Sequence, residues 1–154
     1  MKTLKILAVV VLLVTLLFGS GGKPIPVGID NTADLQETFW VLTKISGKKV
    51  SFGSFPGNLP GQVNLILQKE GTTAYGSGGV NRFTGIYQLG ENNSLTFGVL
   101  ASTKMLGLDP KQNEIENDFF RALATTKRYK INGNTLRLLD EKNKVLAEFT
   151  ALQS

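Results

Sequence analysis

The chain has 154 residues, 42% hydrophobic and 19% charged, with a formal net charge of +5. That length suits one domain of about 100–200 residues; it is too short for two sizeable enzyme domains and too apolar for a disordered chain. With neither His nor Cys present, disulfides, thiolate nucleophiles, Ser–His–Asp triads and zinc sites of imidazole or sulfur are excluded, and no cofactor is expected.

Residues 1–22 read as an export signal or an N-terminal anchor. Lys2 and Lys5 precede an uncharged apolar run from Ile6 to Phe18 that only Thr15 interrupts. A membrane-crossing helix needs about 20 such residues, so a signal core fits better than a stable span. The small residues Gly19-Ser20-Gly21-Gly22 suit cleavage, although no Ala-x-Ala site is present and an uncleaved anchor stays open. Leu17-Phe18-Gly19-Ser20 has the shape of a lipoprotein box with Ser20 where the acylated Cys must stand, so no conventional lipidation is expected. Either route predicts a domain outside the cytoplasm: periplasmic, in the cell envelope, or secreted. Without Lys2 and Lys5 the net charge is 15 − 12 = +3, which is too mild to indicate a nucleic-acid partner.

Residues 23–34, with two prolines, a glycine and short polar residues, form a linker. The domain proper is 35–154, about 120 residues, enough to bury around two-thirds of the unfolded surface. Strand patterns recur at Phe39–Ile45, Lys49–Phe52, Val63–Gln68 and Thr72–Tyr75, with a Pro/Gly loop between Gly53 and Gly61. Phe83–Leu89 turns at Gly90–Asn93 into Leu95–Phe97. Asp109-Pro110 reads as an N-cap and first helical position, and Ile115, Phe119 and Leu123 give an apolar face through Glu114–Ala124, widened by Phe120. Glu114 and Glu116 placed early, with Arg121 and Lys127 late, suit the helix dipole. Asn132-Gly133, between Tyr129–Ile131 and Thr135–Leu138, is the strongest hairpin signal; Val145–Thr150 closes the chain. The basic stretch Lys127-Arg128-Tyr129-Lys130 reads as a solvated strand edge.

The fold class is therefore mainly β with one helix (α+β): about eight strands, the helix inserted before the last three, rolled into a small antiparallel barrel. Candidate motifs resolve to structural readings. Ser46-Gly47-Lys48-Lys49 has Ser-x-x-Lys spacing but lies in a turn, not at a helix start. Gly76-Ser77-Gly78-Gly79 lacks the partners of a phosphate loop and reads as a bend or bulge in a strand. Glu114, Glu116 and Asp118 do not converge as a carboxylate pair and read as a solvated helix face. Asn92-Asn93-Ser94 is a sequon of ordinary turn composition.

The stretch Gly79-Val80-Asn81-Arg82-Phe83-Thr84-Gly85-Ile86-Tyr87, followed by Leu95-Thr96-Phe97 and Ser102-Thr103-Lys104-Met105, resembles the META domain family, which includes HslJ-like heat-shock proteins. Trp40, Phe119, Tyr129–Asn134 and Leu136–Leu138 extend the likeness over about Phe39–Phe149. Relatives commonly carry Cys at the positions of Val80 and near Leu106-Gly107, so a thiol or disulfide role does not transfer here. The resemblance implies a small barrel and an exported envelope protein without established catalysis, linked to stress and antibiotic response, similar to pilotins that hold lipid or a peptide. Asn81, Arg82, Phe83, Gly85, Thr103, Lys104 and Trp40 are the candidate structural or ligand residues, with Asn81 expected to serve backbone groups and Trp40, Phe83, Tyr87, Phe97 and Phe119 expected in the core. The expected activity is non-enzymatic binding of an envelope protein or a lipid-like ligand by a monomer, with membrane association only through an uncleaved leader. The alternatives are a hydrolase with a Ser or Thr nucleophile and a Lys base such as Lys104, or a purely structural stress protein.

Overall fold

Alternating apolar and polar side chains drive most of this domain into strands, because period-two alternation gives a pleated ribbon one buried face. The computed structural model describes residues 32–50 and 62–152. Within them β1 spans Trp40–Ile45, β2 Lys48–Lys49, β3 Asn64–Leu67, β4 Thr73–Ser77, β5 Arg82–Gly90 and β6 Ser94–Ser102. The helix α1, Pro110–Thr125, is followed by β7 at Arg128–Asn132, β8 at Thr135–Leu139 and β9 at Val145–Ala151. The expected leader, most of the linker and the Pro/Gly loop fall outside the described residues.

All strands join one antiparallel sheet in the order β2-β1-β3-β4-β5-β6-β7-β8-β9, and β1 pairs with β9 as well as with β3. The fold is thus mostly antiparallel β with one helix, and it has nine strands among the described residues where about eight were expected. The hairpin forms where Asn132-Gly133 predicts it, but its two turn residues are Gly133 and Asn134: Asn132 ends β7, paired with Thr135, and of the two turn residues Gly133 alone takes a positive φ, 55°. Lys127, Arg128 and Lys130 are exposed, as a solvated strand demands.

Trp40, Leu42, Leu65, Leu67, Leu95, Leu136, Leu138 and Phe149 fill the interior with α1 residues Phe119 and Leu123. Each such side chain contributes about 1.5–3 kcal/mol by leaving water. The Phe119 ring lies 5.6 Å from that of Phe83 and 6.3 Å from that of Phe149, so the helix is keyed into β5 and β9 by edge-on aromatic contacts. Trp40 satisfies its indole N–H on the Leu35 carbonyl at 3.0 Å. Phe97 is half-buried, packed against this core.

Asp109 caps α1 through its side chain, which accepts from the Lys111 N–H at 2.9 Å, and Pro110 follows as expected. The dipole complement does not form. Because α1 runs from Pro110 to Thr125, its first turn holds no acidic residue and its last turn no basic one. Glu114 and Glu116 lie one turn further in.

Glu148 on β9 stands opposite Lys44 of β1 and Arg137 of β8, at 3.1 Å and 3.4 Å. Burial opposes its charge, but the hydrogen bonds and positive charge of Lys44, then Arg137, outweigh it and hold its carboxyl below the ordinary glutamate range. A carboxylate depressed in the folded state stabilises above its unfolded pKa, and that contribution is lost as pH falls through the folded one. Urea midpoints measured from neutral pH downward should therefore fall less steeply in Glu148→Gln than in the native chain; identical slopes would remove Glu148 from the acid response. The effect is modest, since both cations are partly exposed.

Candidate functional site

Three separate parts of the chain meet at Asn81. The turn after β4 delivers Val80 and Asn81, the loop after β6 delivers Thr103 and Met105, and α1 delivers Glu116. Asn81 and Glu116 are both buried, only 6% exposed. One Glu116 carboxylate oxygen accepts from the Val80 N–H at 3.2 Å and the Asn81 N–H at 2.6 Å; the other accepts from the Asn81 side-chain amide at 2.7 Å. The Asn81 side-chain oxygen Oδ1 accepts from the Thr103 hydroxyl at 2.8 Å and the Met105 N–H at 2.7 Å, and the side-chain amide also donates to the Met105 carbonyl at 3.0 Å. No buried side-chain nitrogen or oxygen among the described residues lacks a partner, which is what makes a buried carboxylate tolerable.

Asn113 of α1 repeats the device two residues further along the same loop. Its amide donates to the Gly107 carbonyl at 2.9 Å and its oxygen accepts from the Gly107 N–H at 2.9 Å. Each asparagine so brackets one loop residue as a neighbouring strand would. The backbone of the loop is held, while Met105, Leu106 and Leu108 stand 60%, 87% and 103% exposed.

Beside the clamp, on the face of β3, β4 and β5 opposite the core, lies an open groove of about 700 Å³, bordered by Phe39, Ile66, Tyr75, Arg82, Thr103 and Met105 among others. That volume falls within the range of small-molecule sites. Among the described residues that line it, Arg82 is the one cation and none is acidic. Among the described residues no three His, Cys, Asp or Glu side chains converge as a metal site requires.

The sequence candidates divide accordingly. Asn81 is the hub, serving backbone groups as expected. Thr103 bonds to it and also accepts from the Arg82 N–H at 3.2 Å. Arg82 and Thr103 face the groove, and Lys104 is exposed beside them. Phe83 is a core residue whose ring meets Phe119 and Phe120 and which also borders the groove, and Trp40 is fully buried and does not line it. Gly85 sits where a Cβ would come within 2.5 Å of a Leu100 methyl and 2.8 Å of the Val99 carbonyl.

Two sequence readings are corrected. Glu116 is not part of a solvated helix face; it lies on the same stripe as Phe119, Phe120 and Leu123, at i, i+3, i+4 and i+7, and that spacing was the available signal. Glu114 is exposed and Asp118 pairs with Arg121 at 2.8 Å, as a surface face should. The glycines after Tyr75 lead into a bend at Gly79–Asn81, as read, but they mark no bulge, since Gly76 keeps continuous register with Leu65 on one side and Phe83 on the other. They mark close approach: a Cβ on Gly76 would lie 2.2 Å from the Asn64 carbonyl oxygen, and one on Gly78 2.5 Å from the Glu116 carboxylate.

The META domain model matches residues 33–153. Among curated proteins, none matches the chain. Two proteins solved by NMR share the fold. One is 27% identical with a TM-score of 0.55, the match covering 75% of this chain and 90% of that one. The other, from Burkholderia xenovorans, is 24% identical with a TM-score of 0.59, covering 78% of this chain and 85% of that one.

Proposed function

This chain belongs to the META domain family, and we propose that it is an exported, non-enzymatic binding module of the bacterial cell envelope. It takes a protein partner or an apolar ligand in the course of envelope stress or antibiotic response. The observation that carries this reading is the groove against the Asn81 clamp, whose borders combine Phe39, Ile66, Tyr75 and Met105 with a few polar groups. Export rests on the sequence of residues 1–22. Pairing of β1 with both β3 and β9 supports a barrel-like closure that presents the groove on a stiff wall. Against a hydrolase based on Lys104, the adjacent Thr103 hydroxyl has its hydrogen committed to Asn81 and its oxygen to the Arg82 N–H.

Native mass spectrometry on the full chain, purified gently from its host's envelope, tests the reading. An added apolar mass that denaturation removes, or a co-purifying polypeptide, is expected, and either should be absent from Ile66→Lys, which sets a charge on the groove wall. A bare monomer in both cases overturns it. The intact mass also reads whether residues 1–22 are removed.

A further inference from the structure

We propose that the groove binds an anionic amphiphile, with its head group on Arg82 and its chain along Ile66 and Tyr75. The inference rests on the binding-module reading and names the chemistry of its ligand. Cross-strand register carries it. Since Leu65, Leu67, Ala74 and Phe83 point into the core, strand alternation turns their neighbours to the groove face. Pairing then sorts those neighbours into rows. Asn64 stands opposite Ser77, and Ser77 opposite Arg82, which makes a polar row across three strands. One step along the strands Ile66 stands opposite Tyr75, an apolar pair that borders the groove and stops at Thr84 of β5. The groove is therefore divided along its length into a polar end that terminates in a cation and an apolar end.

Arg82 is suited to take an anion. Among the described residues it is exposed, makes no ion pair and has no acidic neighbour on the groove wall. Its backbone is pinned to Thr103 on both sides, its N–H donating to the hydroxyl at 3.2 Å and its carbonyl accepting from the Thr103 N–H at 3.1 Å. A guanidinium on a fixed base presents a planar fork that matches a carboxylate or phosphate. The Ser77 hydroxyl, which accepts from the Gly79 N–H at 3.1 Å, keeps its own hydrogen for the same head group. Tyr75, exposed at 37%, gains from an apolar chain laid over it. An uncharged apolar molecule would cover Arg82 without pairing it, and a bare anion would leave the apolar pair wet.

Isothermal titration of the full chain with dodecanoate, dodecyl phosphate, dodecanol and dodecyltrimethylammonium, each below its micelle concentration, decides the matter. At least one anion should bind about tenfold or more tighter than dodecanol, with the cationic amphiphile weakest. Arg82→Gln should remove about tenfold from the anion's affinity and leave that of dodecanol unchanged, with Arg82→Lys between. The tighter of the two anions assigns the head group as carboxylate or phosphate. Dodecanol binding as tightly as either anion overturns this inference while leaving an apolar-ligand site standing. Anion binding that Arg82→Gln does not weaken lies elsewhere on the chain and overturns it too. Binding of none of the four removes both the inference and the groove reading beneath it.

Discussion

Glu116→Ala should cost about 3–5 kcal/mol of folding stability, while Glu114→Ala, two residues away on the same helix, should cost almost nothing. Truncation of Glu116 removes the acceptors of the Val80 N–H, the Asn81 N–H and the Asn81 amide together. Each donor left unpaired in a buried place costs about 1–3 kcal/mol, and the sum is reduced because the loss of one partner lets the others relax or admit water. Against a total stability of about 5–15 kcal/mol, that is a large fraction. Glu116→Gln should fall between, because it keeps the shape and one acceptor but sets an N–H₂ group or a neutral oxygen against the Asn81 amide. Urea unfolding of the four proteins measures this directly. Equal midpoints for the Glu116→Ala and Glu114→Ala variants would show that the clamp does not hold the domain together.

The contrast between these two glutamates shows how far the sequence could be read. Helix α1 was legible from Asp109-Pro110 and from Ile115, Phe119 and Leu123, because cap chemistry and a four-residue apolar repeat are local properties. The Asn132-Gly133 hairpin and most strands were legible for the same reason. Membership of Glu116 in the buried stripe was also encoded locally, by its distance of three and seven residues from Phe119 and Leu123. Its charge hid the signal, since a carboxylate on an apolar face is tolerable only when donors arrive from elsewhere, and those donors are on Val80 and Asn81. Asn81 itself was singled out correctly as a residue that serves backbone groups, but its partners at Met105 and Glu116 lie 24 and 35 residues away. The groove is less legible still. It exists only once register sets Asn64 against Ser77 and Ser77 against Arg82, and a one-residue slip would turn all of them to the other face.

Gly76→Ala should cost about 3 kcal/mol, although it adds one methyl group. The position lies inside β4, paired to Leu65 and to Phe83, so neither neighbouring strand can draw back without breaking its own ladder. A Cβ there would meet the Asn64 carbonyl oxygen at 2.2 Å and its carbon at 2.9 Å. Those are backbone atoms, so no flexible side chain can swing aside, and the strain must be taken by the strands themselves. Gly133→Ala provides the comparison. Gly133 has a positive φ of 55°, yet a Cβ on it would touch nothing within 4 Å. Its cost is purely conformational, about 1 kcal/mol. Gly76 has a positive φ of 159° as well, so its variant bears both strains and the hairpin variant only one; a hairpin variant as weak in urea as Gly76→Ala would show that close approach adds nothing. Gly76→Ala should be weaker than Gly133→Ala by about 2 kcal/mol, and the amphiphile binding proposed for the groove it lines should weaken with it, because β3 and β4 carry the polar row and the apolar pair on their outer face.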